Sequence, residues 1–189
     1  MKIKIEVSAR HIHLNKQDLE ILFGEGHELE IDKHISQPGQ YASTDTLKLE
    51  TEKGAIEAIK VLGPIRDLTQ IEISKTDAYK LGINAPLRIS GKVIGSGGGK
   101  LIGPAGELEI EDGVIVAKRH IHMNPEQAHK AGVSNGSFID VEIEGPRAII
   151  FKEVEVRVHE DFESAMHIDT DEANAIWIDK HGEGILKVN

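Results

Sequence analysis

The triplet His-Ile-His occurs twice in this chain, as His11-Ile12-His13 within "ARHIHLN" and as His120-Ile121-His122 within "KRHIHMN". Each copy follows an arginine, Arg10 or Arg119, and stands two residues ahead of an asparagine, Asn15 or Asn124. Both histidine pairs are displaced by 109 positions (120 less 11, 122 less 13) in a chain of 189 residues. Internal duplication is the simplest account of such a register. It favours two small related domains, since single domains commonly run to about 100–150 residues.

The pattern between the copies is that of strands. IKIEV, LKLET, AIEAIKVLG, IEIS, LRIS, ELEIEDGVIVA, FIDVEIEG and EVEVRV mostly alternate apolar with polar residues, as half-buried antiparallel strands do. Only 4% of residues are aromatic against 39% hydrophobic, so the core must rest on Ile, Val, Leu and Ala, a mixture that suits a mainly β fold. Four short helices carry start signals: Asn15 with Asp18, Ser74 with Asp77, Asn124 with Pro125, and Asp169 with Glu172. Gly24, Gly82 and Gly132 are the natural stops for the first three. Residues 91–110, GKVIGSGGGKLIGPAGELEI, read as a turn-rich, flexible connector.

Two residues before each of these caps stands a potential metal ligand: His13, Glu72, His122 and His167. The segments IEISKTDA and MHIDTDEA align Glu72 with His167 and Asp77 with Glu172. On a strand, residues i and i+2 share a face with Cβ atoms roughly 7 Å apart, so the two imidazoles of each triplet can converge on one ion. The pattern therefore predicts one metal site of His11, His13 and Glu72 and a related one of His120, His122 and His167. Three such ligands with an open position are the usual form of a catalytic zinc site, and a helix start nearby favours an anion. One lone His-x-His would read as strand-end hydrogen bonding; two matched copies favour ligation. His159 is an alternative ligand, but the alignment selects His167.

Other motifs carry less. Arg66, in the turn Gly63-Pro64-Ile65-Arg66, has a planar fork suited to phosphate, although an ordinary surface arginine accounts for the spacing equally well. Arg10 and Arg119 would point away from the ligand face at i−1, so a rim or structural role stands beside substrate contact. Gly97-Gly98-Gly99 with Lys100 could cradle a phosphate through backbone N–H groups, yet it lacks the P-loop pattern and reads better as a flexible connector. With no Cys the chain has no disulfide, thiolate ligand or acyl-cysteine route. A net charge of −10 opposes nucleic-acid binding. No apolar run approaches the roughly 18 residues a bilayer requires, and the start alternates like a strand, so a cytoplasmic protein is expected.

Taken together, SARHIHL, the GPIR turn with Glu72 six positions on, KRHIHM and MHIDTDEAN resemble the PduL family of phosphate acyltransferases, also called phosphate propanoyltransferases, over residues 1–189. The resemblance implies a reversible exchange in which acyl-CoA and phosphate give acyl phosphate and CoA, with a short acetyl or propanoyl group. It implies two small β-barrels with short α-helical caps: residues 10–117, and residues 1–9 plus 118–189, the first strand joining the C-terminal barrel. Between them it places two Zn2+ ions, one on His11, His13 and Glu72 and one on His120, His122 and His167, with Arg66 as the phosphate-binding catalytic residue. Members that enter bacterial microcompartments carry an N-terminal targeting helix, and this chain starts at its first strand, so a free cytoplasmic enzyme is expected. A homo-oligomer is compatible with the pattern. Two other readings stay open at this point: a metal-dependent thioester hydrolase, and a non-enzymatic module braced by its metals.

Overall fold

Each alternating segment contributes to a strand in a computed structural model, which describes residues 1–187, although IEIS and LRIS do so over only half their length. Positions 188 and 189, which the expected second barrel includes, lie outside the described residues. The first half of the chain forms β1 (Lys2–Val7), β2 (His11–His13), α1 (Lys16–Phe23), β3 (Ile31–His34), β4 (Tyr41–Thr51), β5 (Gly54–Gly63), β6 (Gln70–Glu72), α2 (Lys75–Leu81), β7 (Leu87–Arg88) and β8 (Gly97–Ile102). The second forms β9 (Glu107–Ala117), β10 (His120–Met123), α3 (Pro125–Ala131), β11 (Phe138–Ile143), β12 (Ile149–Val158), β13 (Ala165–Ile168), α4 (Thr170–Ile176) and β14 (His181–Lys187).

These elements divide into two compact units, Arg10–Lys118, and Met1–Ala9 with the chain from Arg119 onward. In the first unit, β4, β5, β2, β6, β9 and β8 pair in that order, and β8 returns to β4, closing a ring; β3 adds to β4 and β7 to β9. In the second, β11, β12, β10, β13, β1 and β14 close another ring. The fold of the described residues is thus mainly β, two six-stranded barrels with four short helices, as expected. Closure leaves the ring strands no free edges.

The rings share one pattern of strand directions. The strand bearing His-x-His is parallel to one neighbour and antiparallel to the other in both: β2 with β5 and β6, β10 with β12 and β13. Even the irregularities recur. Ala58 in β5 and Glu153 in β12 both have φ of 53°, beside register shifts against β4 and β11. A bulge at equivalent places in two strands of different sequence supports duplication independently of the histidines.

Each ring has its own core. Ile12, Leu47, Val61, Ile71 and Leu101 fill one, and Ile5, Ile121, Val156, Met166 and Ile168 the other. The isoleucine of each triplet is fully buried, which fixes the face on which its two histidines emerge. All four helices start on the expected caps, whose side chains accept from the backbone N–H of Asp18, Asp77, Gln127 and Glu172. The fourth stops without glycine: Trp177 takes the left-handed position with φ 64°.

The glycine-rich stretch departs from expectation. Gly97–Ile102 is strand β8, paired with both β4 and β9, and not a flexible connector. Its glycines serve close approach of backbones: a Cβ on Gly98 would stand 2.3 Å from the Ile110 carbonyl oxygen. Among the described residues no helix is long and apolar enough to cross a membrane.

Candidate functional site

In the Arg10–Lys118 unit, antiparallel pairing of β2 with β6 sets His11 directly opposite Glu72 and His13 opposite Gln70. Residues directly opposite share a face, so the i, i+2 pair and the cross-strand residue converge. His11 Nε2 lies 3.5 Å from Glu72 Oε2, and the His11 and His13 rings meet edge-on with centroids 5.0 Å apart. Gln70, buried, donates from Nε2 to Glu72 Oε1 at 2.6 Å and to Ser90 Oγ at 2.7 Å, while its Oε1 accepts from the Gly91 N–H at 2.6 Å. One carboxylate oxygen of Glu72 is thereby tied down and the other left facing His11.

The other unit repeats the construction with different residues. Pairing of β10 with β13 sets His120 opposite His167 and His122 opposite Ala165. The ring centroids are 4.7 Å apart for His120 and His122, 5.3 Å for His120 and His167, and 4.8 Å for His122 and His167. Phe162 stacks on His122 at 3.9 Å and shields one face of its ring. All six predicted ligand positions are thus gathered into two groups of three, with their potential ligand atoms within 4.8 Å of one another in each.

The electrostatics suit cation binding. His13 is lowered to about 2, first by burial, then by the charges of His11 and Arg66. His122 is likewise lowered to about 2, by burial, by His120 and His167, and by Arg157. Both rings are therefore neutral, the form that ligates. Buried Nδ1 of His13, and Nδ1 and Nε2 of His122, have no hydrogen-bond partner. An orphaned buried imidazole nitrogen on a residue of a converging ligand group fits a divalent cation. Tetrahedral zinc with bonds of about 2.0–2.1 Å would set ligand atoms roughly 3.3 Å apart, close to the His11–Glu72 separation.

Arg66 sits between β5 and β6, its own N–H donating to the Leu14 carbonyl. Its guanidinium makes long contacts to neutral oxygens, Ser90 Oγ at 3.4 Å and Gln40 Oε1 at 3.5 Å. Its charge reaches His13, which places it beside the first triad. The arginines ahead of the triplets have matched partners. Arg10 pairs with Asp77 at 3.3 Å, and Arg119 donates to Glu172 Oε1 at 2.7 Å and stacks over Phe151. Each bond ties the start of a His-x-His strand to the helix that follows the third ligand. Burial pushes Glu172 and Asp169 up, and Arg119 pulls both back.

His159 is exposed and pairs with Asp161, outside the second triad, and His27 pairs with Asp45 at 3.0 Å. Sequence reasoning missed Gln70, Ser90, Phe162 and Glu6, whose carboxylate approaches His167. Gln70 had a signal: it stands two before Glu72 on one strand and hence on its face. The others need the pairing of distant strands.

A family model described as phosphate propanoyltransferase matches residues 4–179. The chain belongs to the phosphate propanoyltransferase family. A phosphate propanoyltransferase of Thermotoga maritima is 51% identical over 177 residues, covering 93% of this chain and 84% of the relative. Those of Salmonella typhimurium, 51% identical over 178 residues (94% and 84%), and Rhodobacter capsulatus, 49% over 176 residues (93% and 82%), are similar to it to the same degree. Phosphate propanoyltransferases transfer acyl groups, and the expectation of an enzyme of the acyltransferase class stands.

Proposed function

We propose that the protein reversibly transfers a short acyl group, acetyl or propanoyl, between CoA and inorganic phosphate, with two Zn2+ ions held on His11, His13 and Glu72 and on His120, His122 and His167. The observation that carries the reading is the paired convergence of three ligand atoms, with orphaned ring nitrogens on His13 and His122, in a chain of this family. Ions bound there would supply Lewis acidity for the thioester carbonyl and for the departing thiolate. Arg66 binds the phosphate dianion: its planar fork suits two charge-assisted bonds, and its charge already reaches His13 of the first triad. A phosphate oxygen so held attacks the thioester carbonyl carbon. The C–O bond forms, the C–S bond breaks, and CoA leaves as thiolate. With no cysteine in the chain, no acyl-cysteine can intervene. Gln70 keeps Glu72 fixed throughout, since its amide is itself anchored to Gly91 and Ser90.

The test is CoA release from acetyl-CoA and propanoyl-CoA with and without phosphate, with metal content measured on the same preparation. Phosphate-dependent release that yields acyl phosphate, at two zinc ions per chain, is expected. Release that ignores phosphate would mark a thioester hydrolase and overturn the proposal. A metal-bound protein that turns over neither thioester would mark a structural role for the ions.

A further inference from the structure

Buried carboxylates need a reason, and Glu6 has none in the scheme above. It lies on β1 with 8% of its surface exposed. Parallel pairing of β1 with β13 sets it level with His167. Lys4 Nζ pairs with Glu6 Oε1, and Glu6 Oε2 lies 3.8 Å from His167 Nδ1. Glu6 is not one of the three residues whose ligand atoms converge. Its address is the far side of the His167 ring.

The duplication supplies a comparison inside the same molecule. In the other barrel, β6 pairs in parallel with β9, and the residue level with Glu72 is Ile115. Where the third position of the triad is a carboxylate, its neighbour on the next strand is apolar. Where that position is an imidazole, the neighbour is a carboxylate. The two differences belong together chemically. A glutamate that binds a cation carries no proton and needs no acceptor behind it. A histidine that binds through one nitrogen keeps an N–H on the other, and that N–H buried without an acceptor costs free energy. Arg157 and Glu155 stand on the opposite flank, level with His122 and His120 on β12, and face those rings instead.

We infer that Glu6 is a positioning residue that accepts the Nδ1–H of His167, fixing the tautomer in which Nε2 is presented to His120 and His122. Lys4 holds the other oxygen of the carboxylate and keeps it from turning away. With the triad loaded, the 3.8 Å between Oε2 and Nδ1 would have to shorten by ~1 Å to reach hydrogen-bond length. The inference rests on the metal reading of the second triad, and it accounts for a carboxylate beside His167 where Ile115 stands beside Glu72.

The test uses the full chain loaded with Zn2+ and stripped by a competing chelator. Glu6→Gln is expected to keep one ion at wild-type affinity and to hold the other roughly 10–100-fold more weakly, the usual effect of removing an outer carboxylate from a ligating histidine. The double variant Glu6→Ile/His167→Glu, which copies the arrangement of the first barrel, is expected to bind both ions at affinities near wild type. Glu6→Gln with two ions at wild-type affinity would overturn the role of Glu6 and leave the metal reading standing; a wild type that takes up no second ion would overturn both. Imidazole 15N spectra of the zinc-loaded wild type need no variant to fold. A proton on Nδ1 of His167 with Nε2 shifted by the ion is expected, and the opposite tautomer would refute the inference.

Discussion

Acidification should weaken the metal-free protein through two named side chains. His13 and His122 are each lowered to about 2 from the ordinary 6.5, chiefly by burial. A native ring with so low a value stays neutral at pH 5.5, while the same ring in the unfolded chain is about nine-tenths protonated. Below 6.5 the unfolded state therefore binds more protons, and stability rises with pH and falls with acidification. Between pH 7.5 and 5.5 each histidine contributes between about 1 and 2 kcal/mol of lost stability, and the pair about 3 kcal/mol. Any native value far below 5.5 gives the same figure, so the magnitude does not hang on the depth of the shift. Asp169 and Glu172, whose carboxyls burial pushes up, act in the opposite sense from the ordinary carboxylate range upward. The clean measurement is thus a difference: urea midpoints of the metal-free wild type across this range, against those of His13→Asn/His122→Asn. The wild type should lose stability more steeply, by about 3 kcal/mol over the window if the barrels unfold in one transition. Two transitions would carry one histidine's share each. Parallel curves for the two proteins would show that neither ring is neutral and buried in the native state, and the case for them as preformed ligands would go with it.

Arg66→Ala should raise the KM for phosphate about 10–100-fold, the worth of a charge-assisted pair, with zinc content unchanged by elemental analysis. Arg119→Met strands the largely buried Glu172 and should cost about 1–2 kcal/mol in chemical denaturation. Arg10→Met strands Asp77, whose side chain is only 10% exposed, and should likewise cost about 1–2 kcal/mol. Gly98→Ala, forced against the Ile110 carbonyl, should destabilise by about 1–3 kcal/mol and lower the thermal midpoint.

Much of the fold was legible because the chain states its rules twice. The alternation in EVEVRV or ELEIEDGVIVA depends only on which residues face a core, and the caps at Asn15, Ser74, Asn124 and Asp169 depend only on local hydrogen bonds. The glycine run misled for the converse reason. Gly97, Gly98 and Gly99 look mobile in isolation, and only neighbours distant in sequence, such as the carbonyls of Ile110 and Glu111 against Gly98, reveal that the missing side chains make room for a neighbouring strand. Likewise nothing near Trp177 announces a left-handed helix stop.

The same distinction separates the legible part of the candidate site from the rest. Histidines spaced i, i+2 are a local pattern, and their third partners surfaced because the duplicated corners could be laid over each other. Glu6 could not be found that way. Its counterpart in the other barrel is Ile115, so the two copies disagree at that place, and a repeat alignment discards positions where copies disagree. Once strand pairing is known, the disagreement becomes the informative feature: it occurs beside the one position in the triads where the ligand type also changes. Ligand and neighbour differ as a unit because an imidazole brings a proton that a carboxylate does not, and a buried proton has to be accepted by something.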